Sequence, residues 1–337
     1  MNAIAAVCEE TGPNAGLVVK EVEVPEPGPD QVAIDVRAAA VNLNETIKLK
    51  GTHHEKPIAP LIPGGEIAGV VRKVGGKVTR FKEGDRVAAM LPGSVGGWAT
   101  AAVADEGKVM KIPDEMSFEV ACGFCGGALT AYDALVAVGE LKPEDRLVIT
   151  GAAGGVGLAG IQIAKAIGAE VVAIAGGPEK GAMCKQAGAD HVIDHQQEDV
   201  VDAVYRIFGP DGATIVMESV GGDTQRKAMK YTGFGGRVVL TGYTSYEIPE
   251  VKTIHIMLKG IQLRGTHLAL RGAKQPERVA QMTADLFKLY TDGKLKVEVC
   301  KVFPLKDAQA AIDYIGQRRH IGKVVLQVSG ENGQSLA

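Results

Sequence analysis

Gly154, Gly155 and Gly157 stand in the run Arg146–Ala175, RLVITGAAGGVGLAGIQIAKAIGAEVVAIA, at a spacing suited to holding a pyrophosphate. A bound diphosphate needs backbone N–H groups with no side chain in the way. Gly154 is expected to permit a tight turn. Gly155 and Gly157 are expected to remove the Cβ atoms that would block the phosphates or hold a helix off its strand. A helix starting near Val156 would turn its free N–H groups and the positive end of its dipole toward the same anion. The context gives the glycines their meaning. Leu147–Thr150 reads as an apolar strand before the turn and Val171–Ala175 as a second strand after the helix. A strand–turn–helix–strand unit of this length is the setting in which such a turn binds a dinucleotide.

Other chemistry is thin. There is no visible Ser-His-Asp set and no carboxylate dyad. The cysteines, Cys8, Cys122, Cys125, Cys184 and Cys300, are odd in number and scattered, which suits a reducing cytoplasm. Cys122 and Cys125 form a single CxxC, half of a tetrahedral metal site, and read as two small residues beside a pocket. His53 and His54 are neighbours whose side chains would diverge on an extended loop. A net charge of −3 gives no footprint for nucleic acid or an anionic membrane surface. No apolar run is read as approaching the ~20 residues of a membrane span, and the first residues lack the basic-then-apolar layout of a secretory signal.

The elements that must position these residues fall into two groups. From Ala3 to about residue 120, short alternating strands recur about every ten residues between proline and glycine turns, which predicts a small all-β barrel or sandwich. From Ser117 the spacing turns helical, with a buried helix around Ala128–Val138. Six strands then alternate with helices: LVIT, EVVAIA, HVIDH, TIVMESV, RVVLTG and IQLRGTH. That alternation predicts an α/β fold, a doubly wound parallel sheet beside the β domain. A helix over Pro276–Leu289, a strand KVEVCKVFP, a helix over Lys306–Ile315 and a strand GKVVLQV follow, and the polar tail from Ser329 is expected to fray.

The segments PGGEIAGVVRKVG, FKEGDRV, ALTAYDAL, GAAGGVGLAGIQIAKAIGA, GADHVI, ESVGG and GKVVLQV occur in an order that resembles the medium-chain dehydrogenase/reductases. Within them the chain most resembles the zinc-free, zeta-crystallin-like NADPH:quinone oxidoreductases. The resemblance implies a GroES-like β-barrel catalytic domain of residues 1–122 and 268–337, a Rossmann domain of residues 123–267, and an active site in the cleft between them. Where zinc-dependent relatives keep their catalytic ligands, this chain has Asn42, the pair Gly65-Glu66 and, near the third position, Gly126. No cysteine falls between Ala89 and Met110, so the four-cysteine structural lobe is missing as well. No metal is expected.

NAD enzymes of this fold end the second strand with an acid for the ribose 2′-hydroxyl. Here that position is Ala175, followed by Gly176. Lys180 sits where the quinone reductases keep a phosphate-pairing lysine, and His195 replaces their usual tyrosine, so the expected cofactor is NADPH. The alternatives are a solvated helix residue for Lys180 and a surface turn residue for His195. The resemblance also implies Asn42 beside the nicotinamide and acceptor, Thr130 near the carboxamide, and Gly242 and Tyr243 on the opposite wall. Ser219, Gly221 and Lys323 are further cofactor candidates that can instead be turn or strand-edge residues.

Asn42, His53 and Tyr243 are the donors available to an oxyanion, with Glu45 as an orienting group. His53 can equally be an exposed loop histidine and Glu45 a helix-start carboxylate. Tyr246 and Arg271 are candidates for the substrate mouth. The leading reading is an NADPH-dependent quinone reductase. The alternatives are an enoyl, alkenal or acryloyl-CoA reductase, and a non-enzymatic NADPH-binding structural or nucleic-acid-binding protein. Lys48, Lys50, Lys56, Arg271 and Lys274 form no evident patch for CoA, and no basic strip supports nucleic acid. The strand GIQLRGTH would end the sheet and invite pairing with a two-fold mate, so a homodimer is expected unless the helix from Pro276 covers that edge.

Overall fold

The computed structural model describes residues 1–52 and 58–329. β1 (Asn2–Cys8) pairs antiparallel with β2 (Leu17–Glu23) as a separate ribbon. β3 (Gln31–Val41) is the long central strand of a seven-stranded sheet and is buried along most of its length. The short helix α1 (Leu43–Leu49) begins straight after it, with Asn42 as N-cap. The Glu45 carboxylate reaches back to accept from the Asn42 backbone N–H at 2.9 Å, the reach of an acidic third residue in a capping box. β4 (Glu66–Val74), β5 (Arg86–Met90), β6 (Ala101–Asp105) and β7 (Val109–Lys111) extend the sheet by antiparallel pairings. Trp98 is fully buried in the core of this sheet, its indole N–H donating to the Ala40 carbonyl at 3.1 Å.

α2 (Phe118–Tyr132) starts ten residues before the expected Ala128 and runs on as a π-helical stretch, Asp133–Val138. Taken together, Phe118–Val138 is 21 residues, long and apolar enough by length and composition to cross a membrane, contrary to the sequence reading. Of its most apolar window 72% is buried inside the protein, so it is accounted for as a core helix.

Next come β8 (Arg146–Ile149), α3 (Gly155–Ile167), β9 (Glu170–Ala175), α4 (Pro178–Gln186), β10 (His191–Asp194), α5 (Val200–Phe208), β11 (Ala213–Glu218), α6 (Gly222–Tyr231), β12 (Thr232–Leu240), α7 (Thr253–Lys259) and β13 (Gln262–Gly265). The six strands form one parallel sheet in the order β10-β9-β8-β11-β12-β13. The chain winds outward from β8 to β10 and then restarts at β11 on the other side of β8. The topological switch point, where open α/β sheets take their ligands, therefore lies between the carboxyl ends of β8 and β11. Val148, Val172, Ile174, Val216 and Val238 share one hydrophobic core on this sheet. α8 (Leu268–Lys274) and α9 (Pro276–Thr291) follow.

The final segment, β14 (Val299–Pro304), α10 (Ala308–Gly316) and β15 (Lys323–Gln327), completes the seven-stranded sheet, with β15 antiparallel to β3. Two compact units result: Met1–Gly126 with Glu298–Ala337, and Gly127–Val297. This division differs from the expected return at residue 268. The reason is that α8 and α9 are tied within the second unit. The buried Asp133 pairs with Arg271 and accepts from Thr266, the Tyr132 hydroxyl donates to Asp285 at 2.9 Å, and α9 buries Met282 and Leu286.

Candidate functional site

In the second unit the glycine-rich turn leaves β8 through Thr150. The left-handed residue is Gly151, at φ +60°, and not Gly154, which is extended at φ −80°, ψ 170° and serves as the N-cap of α3. Gly154 closes this turn, its N–H donating to the Gly151 carbonyl at 3.2 Å, while the left-handed backbone falls on Gly151. Gly154 also starts the helix, to which it brings no capping side chain. A Cβ on Gly157 would lie 2.4 Å from the Ala152 carbonyl oxygen, so this glycine lets helix and turn pack together. An N-terminus without a capping side chain, opening at Gly155 and Val156, fits the pyrophosphate of a dinucleotide.

At the end of β9, Ala175 is buried and followed by Gly176. A Cβ on Gly176 would lie 2.8 Å from both His195 Nε2 and Gln196 Nε2, so the structure brings Gly176 and His195 together and adds Gln196, which the sequence reading missed. Lys180 is half-buried in the first turn of α4, and burial pushes its ammonium pKa down. The neighbouring Asp194 carboxyl is held below its usual range by the backbone N–H groups of Gln196 and Gly177.

The ends of β8, β11 and β12 also converge. Ser219 Oγ donates to the Thr150 carbonyl at 2.9 Å, and the Ser219 N–H donates to Thr150 Oγ1 at 3.0 Å. A Cβ on Gly221 would lie 2.8 Å from the Tyr243 ring, and one on Gly242 would lie 3.7 Å from the Ser219 carbonyl oxygen. The organiser is a residue not singled out from the sequence, the fully buried Glu218. Its carboxylate accepts from Thr150 Oγ1, Val220 N and Gly221 N at 3.0 Å each. Burial pushes its pKa up against these hydrogen bonds. A charged residue closing the apolar strand TIVME was the available signal.

In the first unit, antiparallel pairing assembles a second group. β15 and β4 flank β3 on either side and both run against it, so their first residues, Lys323 and Glu66, meet the residue after its last, Asn42. Lys323 Nζ donates to Asn42 Oδ1 at 2.6 Å and to Glu66 Oε2 at 3.1 Å. Asn42 Nδ2 donates to Glu66 Oε1 at 3.0 Å, and the Gly126 N–H donates to Glu66 Oε2 at 3.2 Å. Glu45 is 2% exposed. Burial first, then the charge of Glu66, pushes its carboxyl up to about 7. The positions expected to stand in for metal ligands are therefore brought together around a lysine ammonium. An amide, a carboxylate already paired with that cation and a backbone N–H do not fit zinc. Burial pushes the Cys122 and Cys125 thiols well up, which keeps them protonated and inert.

The remaining candidates scatter. His53 lies outside the described residues. Thr130 is half-buried on α2, and Arg271 is held by Asp133 and Gln275. Tyr246 is exposed at φ +66°.

Residues 28–114 match the alcohol dehydrogenase GroES-like domain family and residues 155–288 the zinc-binding dehydrogenase family. A quinone oxidoreductase of Sus scrofa is 33% identical over 316 residues, covering 94% of this chain and 94% of its own. The quinone oxidoreductase of Pseudomonas syringae pv. Tomato DC3000 superposes with a TM-score of 0.90 at 31% identity, covering 96% of this chain and 99% of its own. The Escherichia coli quinone oxidoreductase, solved with NADPH, gives 0.85 at 28% identity over 97% of this chain and all of its own. A 2-haloacrylate reductase gives 0.85 at 28% identity over 96% and 99%.

Proposed function

Since the chain belongs to the quinone oxidoreductase family of the medium-chain dehydrogenase/reductases, we propose that it transfers a hydride from NADPH to a quinone without zinc. The observation that carries this reading is the Asn42–Glu66–Lys323 group: where a zinc enzyme would polarise its substrate with a metal, this chain has fixed N–H donors. NADPH, when bound, supplies the hydride. The protein's task is to hold it and to stabilise the negative charge that forms on the acceptor oxygen. Gly154, Gly155, Val156 and Gly157 would hold the pyrophosphate, and Gly176, Lys180 and His195 the 2′-phosphate. Thr130, Ser219, Gly221, Gly242, Tyr243 and Lys323 would contact the rest of the cofactor. Asn42 donates to the acceptor oxygen, Glu45 orients Asn42 through its backbone N–H, and water supplies the proton that completes reduction.

A second reading, reduction of an activated alkene, is favoured by the likeness to a 2-haloacrylate reductase. Both chemistries place a hydride on carbon or oxygen and leave an oxyanion. The test is NADPH oxidation, followed by loss of reduced-nicotinamide absorbance, with a naphthoquinone, an enone and an enoyl-CoA in parallel. Turnover confined to the quinone supports the first reading, and turnover confined to the alkenes replaces it with the second.

A further inference from the structure

The Asn42 carboxamide lies between two groups of opposite charge, and that decides which way round it faces. An ammonium can only donate, and a carboxylate paired with one can only accept. Oδ1 must therefore face Lys323, at 2.6 Å, and Nδ2 must face Glu66, at 3.0 Å. The flipped amide would set N–H against N–H and oxygen against oxygen. Of the two Nδ2 hydrogens, Glu66 takes one, and the other has no partner among the described residues. Glu66 is itself fixed by the Gly126 N–H, and a Cβ at position 126 would stand 2.0 Å from Glu66 Oε1. Only glycine there leaves the carboxylate where it is.

We infer that Glu66 is a positioning residue for the reaction: it locks Asn42 as a donor, so that the remaining Nδ2–H is presented to the oxygen that becomes negative as the acceptor takes the hydride. The inference rests on the reductase reading. Glu66 touches neither reactant. With Lys323 holding Oδ1, it supplies the acceptor that pins Nδ2, so Asn42 cannot turn its oxygen toward the acceptor and repel the developing charge. In that step the acceptor gains the hydride, its electron pair moves onto oxygen, and water supplies the proton.

Glu66→Gln keeps the size of the side chain, but Lys323 and the Gly126 N–H claim its one oxygen, so its NH2 is set against Asn42 Nδ2 and the acceptor that holds the amide is lost. With this variant kcat falls about tenfold or more, while KM for NADPH stays within about threefold, the split expected when only a transition-state donor is disordered. A second readout needs no turnover. The chain has five asparagines, so asparagine-labelled protein gives few side-chain 15N–H signals, and the Asn42 pair is assigned by its loss in Asn42→Asp. In the unsubstituted protein one proton of that pair is shifted downfield and slow to exchange; in Glu66→Gln both properties are lost. An unchanged kcat, or an Asn42 signal indifferent to Glu66→Gln, overturns the inference. Should the unsubstituted protein turn over neither quinone nor alkene, the reductase reading falls with it. If it does and Glu66→Gln matches it, this inference alone falls.

Discussion

Lys323 stands across the β3–β15 pair from Asn42, one register step beyond Val324 and Val41, with its ammonium 2.6 Å from the Asn42 side-chain oxygen. Its side chain is 7% exposed and that of its second partner, Glu66, 14%. A pair this enclosed is costly to break from one side, because the remaining charge stays out of water.

Lys323→Met should therefore destabilise the first unit by about 3 kcal/mol, and Lys323→Met combined with Glu66→Gln should recover most of that loss. Trp98, the single tryptophan, is buried in the same unit and reports its unfolding by fluorescence. Urea titrations of both variants at neutral pH decide the matter. A single variant as stable as the parent would show that the pair contributes specificity alone.

Glu45 gives stability a pH dependence of known sign. Its folded pKa, about 7, is raised above the ordinary carboxyl value of 4.5 by burial and by the charge of Glu66, while Lys323 on β15 and the Asn42 N–H oppose the rise. Between these two values the folded state keeps a proton that the unfolded chain has released, so stability falls as pH rises through that window. Glu45→Gln, which mimics the protonated form, should match the parent near pH 4 and exceed it above pH 7 by on the order of 3 kcal/mol. Parallel stability curves across this range would count against a titrating Glu45.

The sequence made the parallel sheet legible because β-branched strands, a glycine-rich turn and amphipathic helices carry their own periodicities, and the sheet has the strand order those units build. It did not reveal which glycine takes the left-handed backbone. Gly151 and Gly154 are chemically identical, and only the backbone distinguishes φ +60° from φ −80°. The role of Glu66, noted only as half of the Gly65-Glu66 pair, and that of Glu218 were hidden for a different reason. Each acts through partners distant in the chain, Lys323 and Asn42 for one and Thr150 for the other, and register alone joins them. The apolar length of Phe118–Val138 is masked in the sequence because Glu119, Gly126, Gly127 and Asp133 interrupt the run while the helix continues through them.

Assembly is open to test on the second unit. β13 ends the parallel sheet, and Phe234, Met257 and Leu258 are exposed by 89%, 71% and 68% near that end. We propose that a second copy of the chain covers them through a two-fold contact. Sedimentation equilibrium at micromolar concentration should return a dimer, and Met257→Glu with Leu258→Lys should shift it to monomer without loss of Trp98 burial. A monomeric parent protein removes the proposal.

Cofactor choice should be decided at the carboxyl end of β9. Ala175 supplies no carboxylate there, and Gly176 leaves room for His195 and Gln196 to lie against the backbone. If Lys180 pairs with a 2′-phosphate, Lys180→Ala removes one charge-assisted contact. It should lower kcat/KM with NADPH about tenfold while leaving NADH within about twofold. Ala175→Asp acts in the opposite sense on the two cofactors, repelling the phosphate and accepting from the ribose 2′-hydroxyl of NADH. Gly176→Ala, which must displace both His195 and Gln196, should cost NADPH more than NADH if those side chains face the phosphate. Paired kcat/KM values for both cofactors across the three variants test the assignment. Equal use of the two by the parent protein, or equal losses in Lys180→Ala, would move the selectivity elsewhere.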